Sequence, residues 1–392
     1  MLNSFEQYPF EKLSALLNSI TPPQEKSQIN LTIGEPQFDT PKNILDELIC
    51  NVALLNKYPK SGGEDFLKDS QLFFIANRYN LTLDKTQIIP TFGTREVLFN
   101  FPQFYLYGVS NPTIAYPNPF YQIYEGAALA SKAKSVLMEL NSVNGFKPTL
   151  TKEQLEEVDL VILNSPNNPT GAILSLQELQ DWVQKAIEHN FVIISDECYS
   201  EIYVDCKPAS ILEASYQCGN KNFKNILAIN SISKRSSAPG LRNGFIAGDS
   251  EILQGYGLYR TYVGCAIPLP LQKASALAWR DFNNPAHSRA IYAKNLEIAK
   301  AIFPHIDVSL YTFYVWLRVS EDSQTLGDDV SFAQFVYQTQ NIKVLPGSFL
   351  GRQGAGAGFV RLALVYESAV IKEALERVKI ALEEFNTMEN HK

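Results

Sequence analysis

Between residues 158 and 196 the chain reads strand, helix, strand, and that order leaves few folds open. Val158-Asp159-Leu160-Val161-Ile162-Leu163 has the apolar texture of a buried strand. It runs into Asn164-Ser165-Pro166-Asn167-Asn168-Pro169-Thr170-Gly171, a stretch dense in turn residues. Ser175 and Glu178 then make a capping box for a helix over 176–189. Phe191-Val192-Ile193-Ile194 is the next strand, with Ser195-Asp196-Glu197-Cys198-Tyr199 at its C-terminal end. Strands joined through a helix in this way lie parallel, in a right-handed crossover. Open parallel sheets take their ligands beyond the carboxyl ends of the strands. Asn168 and Asp196 both follow such an end.

A third strand, over 225–230, delivers Lys234 in the same manner. The stretch Ser231-Ile232-Ser233-Lys234 continues to Arg242, and Gly244-Phe245-Ile246-Ala247-Gly248 reads as a further strand. Two serine hydroxyls and an arginine fork suit a phosphate, because one donor is compact and the other planar. A lysine amine beside a phosphate cradle describes pyridoxal phosphate held as a Schiff base. Taken alone, the stretch fits a solvated lysine and arginine in a surface loop equally well.

Other segments add partners to that site. Ile88-Ile89-Pro90-Thr91-Phe92-Gly93-Thr94-Arg95 predicts a strand passing through a glycine turn into a helix. Free N–H groups at a helix start bind anions, so Gly93, Thr94 and Arg95 are candidate phosphate contacts. Strand 113–116 is followed by Pro117-Asn118-Pro119-Phe120-Tyr121, whose rings either pack the core or stack on a planar cofactor. Asp196 either caps a turn or, facing a pyridine nitrogen, keeps it protonated as an electron sink. Tyr199 and Asn168 would then tune the ring oxygen. Arg361, on a strand over 360–364, is either a surface arginine or a bidentate partner for a substrate carboxylate.

Composition excludes several other classes. A net charge of −7 without a basic run argues against a nucleic-acid partner. Cys50, Cys198, Cys206, Cys218 and Cys265 are odd in number and lack a C-x-x-C, which predicts reduced thiols in a cytoplasmic protein. The start, Met1-Leu2-Asn3-Ser4, lacks signal-peptide character, and no apolar run reaches the ~18 residues that cross a bilayer. His189, His287, His305 and His391 show no metal-ligand spacing. The glycines between 351 and 358 do not form a dinucleotide-binding fingerprint and read as a flexible loop.

The two ends of the chain differ in texture from this middle. After a polar start, residues 29–33 read as an extended segment ending in Gly34-Glu35-Pro36. Asp39-Thr40-Pro41 predicts a capped helix start, with Ile44, Leu45, Leu48, Val52 and Leu55 at helical spacing. Another helical pattern covers 66–79. Beyond about residue 281, a long helix over 289–302 precedes expected paired strands at 305–308 and 313–318, and a closing helix spans 367–384. This part reads as a separate α+β domain.

Together, Asn168-Pro169-Thr170-Gly171, Asp196-x-x-Tyr199, Ser231-x-Ser233-Lys234 and Arg242 resemble the class I aminotransferases of pyridoxal-phosphate fold type I. The resemblance covers nearly the whole chain, since Gly34, Tyr58, Gly93-Thr94-Arg95 and Arg361 fall in family order. It implies an α/β fold: a large domain (36–284) with a mostly parallel seven-stranded sheet between helices, and a smaller α+β domain from 1–35 and 285–392. It implies pyridoxal 5'-phosphate as cofactor, Lys234 as its Schiff-base lysine and proton shuttle, and Asp196 as pyridinium partner. Tyr199 and Asn168 fall on the ring oxygen, and Tyr121, or alternatively Phe120, on the ring face. Ser231, Ser233, Arg242 and Gly93-Thr94-Arg95 match phosphate ligands; Arg361 and the Gly34 backbone match the α-carboxylate clamp, with Asn168 beside them. Tyr58 resembles the tyrosine that reaches a partner subunit's phosphate, which implies a homodimer with shared sites.

Within the family, residues 231–248 and Arg260-Thr261-Tyr262-Val263-Gly264-Cys265-Ala266 look most like bacterial N-succinyldiaminopimelate aminotransferases. The competing expectations are an aspartate or aromatic aminotransferase, a C–S lyase of the same fold, and a non-enzymatic regulator that kept it.

Overall fold

The computed structural model describes residues 5–319 and 328–389; Met1–Ser4 and His391 lie outside the described residues. In chain order the strands are β1 (Ile29–Asn30), β2 (Ile88–Thr91), β3 (Thr113–Asn118), β4 (Lys134–Glu139), β5 (Leu160–Asn164) and β6 (Val192–Asp196). There follow β7 (Ile226–Ser231), β8 (Gly244–Gly248), β9 (Tyr314–Arg318), β10 (Ile342–Lys343), β11 (Leu345–Pro346) and β12 (Phe359–Ala363). Seven of them form one sheet in the order β2-β8-β7-β6-β5-β3-β4. Only β8 runs against its neighbours; the other pairings are parallel. The expected α/β architecture and the crossover from β5 to β6 through the helix Leu176–Glu188 are both present, including the Ser175–Glu178 capping box.

This sheet is buried on both faces because helices cover both. Side chains alternate between the two layers with the strand period of two. Val161, Leu163 and Ile193 face a layer containing Phe74, Trp182 and Trp279. Leu160, Ile162, Val192 and Ile194 face the opposite layer, with Phe101, Tyr116 and Tyr256. An alanine at Ile193 would open a cavity worth about 2–5 kcal/mol of stability. That rigidity matters for function, since β5, β6 and β7 carry the groups at their carboxyl ends.

The second core joins the two ends of the chain. β1 pairs with β10, and Ile29 and Leu31 pack with Val315, Leu317, Val360 and Leu362. β11, β12 and β9 form an antiparallel sheet.

Several local expectations are corrected. The segment 305–308 is not a strand: Val308 N bonds Ile306 O two residues back, so its donor is spent locally and β9 pairs with β12 instead. The start is not simply polar, because Pro9–Leu17 forms a helix whose Leu13 and Leu17 pack against Trp316 and Leu345. The helix after Asp39 begins at Lys42, with Pro41 as an N-cap that has no side-chain acceptor. It ends at Asn51 and tightens into a 3-10 turn over Val52–Asn56. Its apolar stripe is largely uncovered in the single chain: Ile49 is 69% exposed and Leu55 66%.

Candidate active site

A cavity of about 1040 Å³ opens beyond the carboxyl ends of β5, β6 and β7. Asn164, the last residue of β5, stands in register with Asp196, the last of β6. Its Nδ2 donates to the Asp196 carbonyl at 2.9 Å, and its Oδ1 accepts the Asn168 N–H at 2.8 Å. One asparagine therefore pins the turn that carries Asn168 to the strand end that carries Asp196.

Asp196 is buried, and no cation is among its hydrogen-bond partners. The Tyr124 hydroxyl donates to Oδ2 at 2.8 Å and the Cys198 N–H to Oδ1 at 3.3 Å. Burial pushes its pKa up, and those two neutral donors oppose the shift. A carboxylate in this setting favours a positive partner facing it.

Lys234 sits in the helical turn Ile232–Arg235 that follows β7, where Ser231 Oγ caps by accepting Ser233 N at 3.3 Å. Its Nζ donates to the Gly34 carbonyl. Burial pushes the amine's pKa down, which raises its neutral, nucleophilic fraction. Gly34 has no room for a Cβ, because the Tyr314 hydroxyl and ring occupy that space. A side chain there would push the carbonyl off the lysine.

Arg361, on β12, enters the same cavity from the smaller sheet. Nη1 donates to Asn168 Oδ1 at 2.8 Å, Nη2 donates to the Thr32 carbonyl, and Nε has no partner among the described residues. Its guanidinium carbon lies 4.4 Å from the Tyr314 ring centroid. With Oδ1 of Asn168 committed to Arg361, the amide's Nδ2 is its remaining donor group.

The residues expected to bind an anion gather at the same cavity. Thr94 opens the helix Thr94–Tyr105 after Gly93, whose φ of 76° suits glycine. A Cβ at Gly93 would strike the Arg242 guanidinium, so the glycine lets that arginine lie against the helix start. Ser231, Ser233, Thr94 and Arg242 line the cavity together. Thr94 Oγ1 is 3.1 Å from Cys198 Sγ, which links the helix start to the end of β6.

Tyr121 and Phe120 part company. Tyr121 lines the cavity, and its hydroxyl accepts Arg95 Nε at 2.7 Å. Phe120 is buried against Tyr116 and does not reach the cavity wall. Tyr199 is buried at the cavity with its hydroxyl 3.2 Å from that of Tyr314. Tyr58 is fully exposed and, like Gly93, does not line this chain's cavity.

The model of the family described as aminotransferase class I and II matches residues 26–378. The chain belongs to that family. A solved aminotransferase AspB from Helicobacter pylori is 52% identical and superposes with a TM-score of 0.93, covering 97% of this chain and 99% of its own. An aminotransferase structure from Neisseria meningitidis is 38% identical at TM-score 0.90, covering 96% and 98%. The LL-diaminopimelate aminotransferase of Aquifex aeolicus is 28% identical over 90% of each chain.

This aminotransferase depends on pyridoxal 5'-phosphate, as its family does. The residues present fit that group. A buried carboxylate without a cation, a buried amine with its pKa lowered, and a helix start beside two serines and an arginine match a pyridine, an aldehyde and a phosphate.

Sequence reading passed over four contributors: Asn164, Tyr124, Cys198 and Tyr314. Asn164 and Cys198 were within reach, lying inside the turn-rich run and the Asp196-x-x-Tyr199 motif. Tyr124 and Tyr314 meet the site only through tertiary packing, from the helix Ile123–Ala130 and from β9. Among the described residues no group of acidic, cysteine or histidine side chains could hold a metal, and no helix is long and apolar enough to cross a membrane.

Proposed function

We propose that this aminotransferase moves an amino group between glutamate and N-succinyl-2-amino-6-oxopimelate, the keto acid that gives succinyldiaminopimelate. The observation that carries the reading is that Lys234, Asp196 and Arg361 face one cavity. Bound pyridoxal phosphate supplies the electron sink that makes an α-proton removable. Asp196, whose carboxyl accepts from Tyr124 and Cys198, would hold the proton on the pyridine nitrogen. Lys234 Nζ carries the cofactor and moves the α-proton. Arg361 pairs with the α-carboxylate that donor and acceptor share, with Gly34 and Asn168 beside it. Ser231, Ser233, Arg242 and the Gly93-Thr94-Arg95 turn would hold the phosphate, Tyr121 would lie on the ring, and Tyr199 and Asn168 would address the ring oxygen.

Cavity size and wall chemistry support a long acceptor. At about 1040 Å³ the space, which would hold cofactor and substrate together, lies just above the ~300–1,000 Å³ usual for ligand pockets. Its lining includes the apolar and aromatic side chains Phe10, Ile33, Tyr259 and Val263 beside the polar Asn100 and Gln103. Val263 belongs to the stretch whose texture resembles the succinyldiaminopimelate enzymes, whereas Arg260 is buried in an ion pair with Glu96 at 2.8 Å. The working unit is a homodimer in which Tyr58 serves the partner's site, and each chain divides into 36–284 and 1–35 with 285–392.

The test compares kcat/KM for the succinylated acceptor, oxaloacetate, pyruvate and phenylpyruvate at fixed glutamate. Each lost distal contact should cost a poor acceptor about tenfold per 1.4 kcal/mol. A clear lead for oxaloacetate or phenylpyruvate would instead make this an aspartate or aromatic aminotransferase. Faster elimination from a sulfur amino acid than transamination would make it a lyase.

A further inference from the structure

Tyr314 lies against three residues of the site, Tyr199, Arg361 and Gly34. It opens β9 in the smaller sheet and is buried. Its hydroxyl lies 3.2 Å from that of Tyr199, and its ring lies 4.4 Å from the Arg361 guanidinium carbon. The same hydroxyl fills the space where a Cβ of residue 34 would stand, and the Gly34 carbonyl accepts from Lys234.

We propose that Tyr314 is a positioning residue with two actions: its ring aims Arg361 at the substrate carboxylate, and its hydroxyl orients the hydroxyl of Tyr199 toward the cofactor. The inference rests on the reading of Arg361 as the α-carboxylate clamp and of Tyr199 as a cofactor contact.

The ring action follows from the geometry of a guanidinium. Its plane is attracted to an aromatic face, and Asn168 and Thr32 hold two of its N–H groups. The ring and these two acceptors leave Nε and the remaining Nη hydrogens for a carboxylate. The hydroxyl action follows from the hydrogen-bond inventory. Two hydroxyls 3.2 Å apart share one proton between them, so when Tyr314 donates, the proton of Tyr199 is free for a third group. Tyr314 comes from the smaller sheet, whereas Tyr199 and Lys234 follow strands of the larger one. One side chain thus ties the clamp to the chemistry across the two cores.

The experiment uses the cofactor-loaded protein. The probe for the clamp is 2-methylglutamate, which has the α-carboxylate but no α-hydrogen, with affinity read by calorimetry. Tyr314→Phe keeps the ring and should bind it within about twofold of the unaltered protein, whereas Tyr314→Leu should bind about tenfold more weakly. If the leucine variant does not fold, Tyr314→Met takes its place. The hydroxyl is read from the pH midpoint of the visible spectrum, which a donor to the ring oxygen lowers by favouring the deprotonated form. Tyr314→Phe should raise that midpoint by less than Tyr199→Phe does, and the double variant should match Tyr199→Phe alone. Equal affinity in the phenylalanine and leucine variants overturns the ring action. An absent shift, or additive shifts, overturns the hydroxyl action. Arg361→Lys separates the two levels. Normal affinity in that variant sinks the clamp reading itself; weakened affinity there with none in Tyr314→Leu sinks the Tyr314 proposal alone. For the hydroxyl, no midpoint shift in Tyr199→Phe sinks the reading of Tyr199 as a cofactor contact.

Discussion

The Tyr124 hydroxyl donates to Asp196 Oδ2 at 2.8 Å, and both side chains are buried. Burial alone would favour the neutral acid, and this bond pulls toward the carboxylate. Tyr124→Phe removes the donor, so the Asp196 pKa rises further. On the proposed role of Asp196 as an ionised partner of the pyridine nitrogen, the acidic limb of kcat/KM should move to higher pH. A hydrogen bond to a carboxylate favours its charged form, so losing the bond predicts an upward move. The pH profile checks this, and an unmoved acidic limb would contradict it.

The ends of β5, β6 and β7 were legible in the sequence because buried parallel strands are runs of apolar residues that stop at polar turns. Asn168, Asp196 and Lys234 follow those stops, and crossover chemistry puts them at one edge. The pairing of β9 with β12 was half legible: both strands were visible, but the partner chosen for residues 313–318 was wrong. Val308 spends its N–H on Ile306, a local bond that no period of two or 3.6 reveals. The choice between Tyr121 and Phe120 turned on which ring faces inward, and adjacent residues in a turn carry no periodic signal. Tyr124 and Tyr314 lay beyond reach for a different reason. Each meets its partner across a long stretch of chain, 72 residues for Tyr124 to Asp196 and 115 for Tyr199 to Tyr314.

Glu197, next to Asp196, predicts how stability changes with pH. It is buried, accepting the Ile211 N–H at 2.8 Å and the Ser195 hydroxyl at 3.0 Å. Burial raises its pKa from an ordinary 4.5 to about 7. The folded chain therefore keeps a proton that the unfolded chain has lost, and stability falls as pH rises between these two values. The loss is on the order of 3 kcal/mol. Glu197→Gln cannot titrate, so its urea-unfolding free energy should gain on that of the unaltered protein by about this amount between pH 4 and pH 8. A difference between the two proteins that is the same at both pH values would contradict the assignment.

Tyr58 is fully exposed, and it follows the uncovered apolar residues Ile49, Val52 and Leu55 along the chain. If it serves a partner's site, mixing Tyr58→Phe chains with Lys234→Ala chains and allowing exchange creates heterodimers with one site free of both changes. Activity should then exceed that of the same two preparations kept apart. No gain after verified exchange would place Tyr58 in its own chain's site, or in none.

The central claim is that Lys234 carries the cofactor. Borohydride reduction of the loaded protein fixes the cofactor on whichever amine holds it, and peptide mass spectrometry then reads the position. The cofactor's mass should fall on the peptide containing Lys234, and Lys234→Ala should lose both that label and transamination. Label on another lysine, or near-normal turnover in Lys234→Ala, would contradict the account.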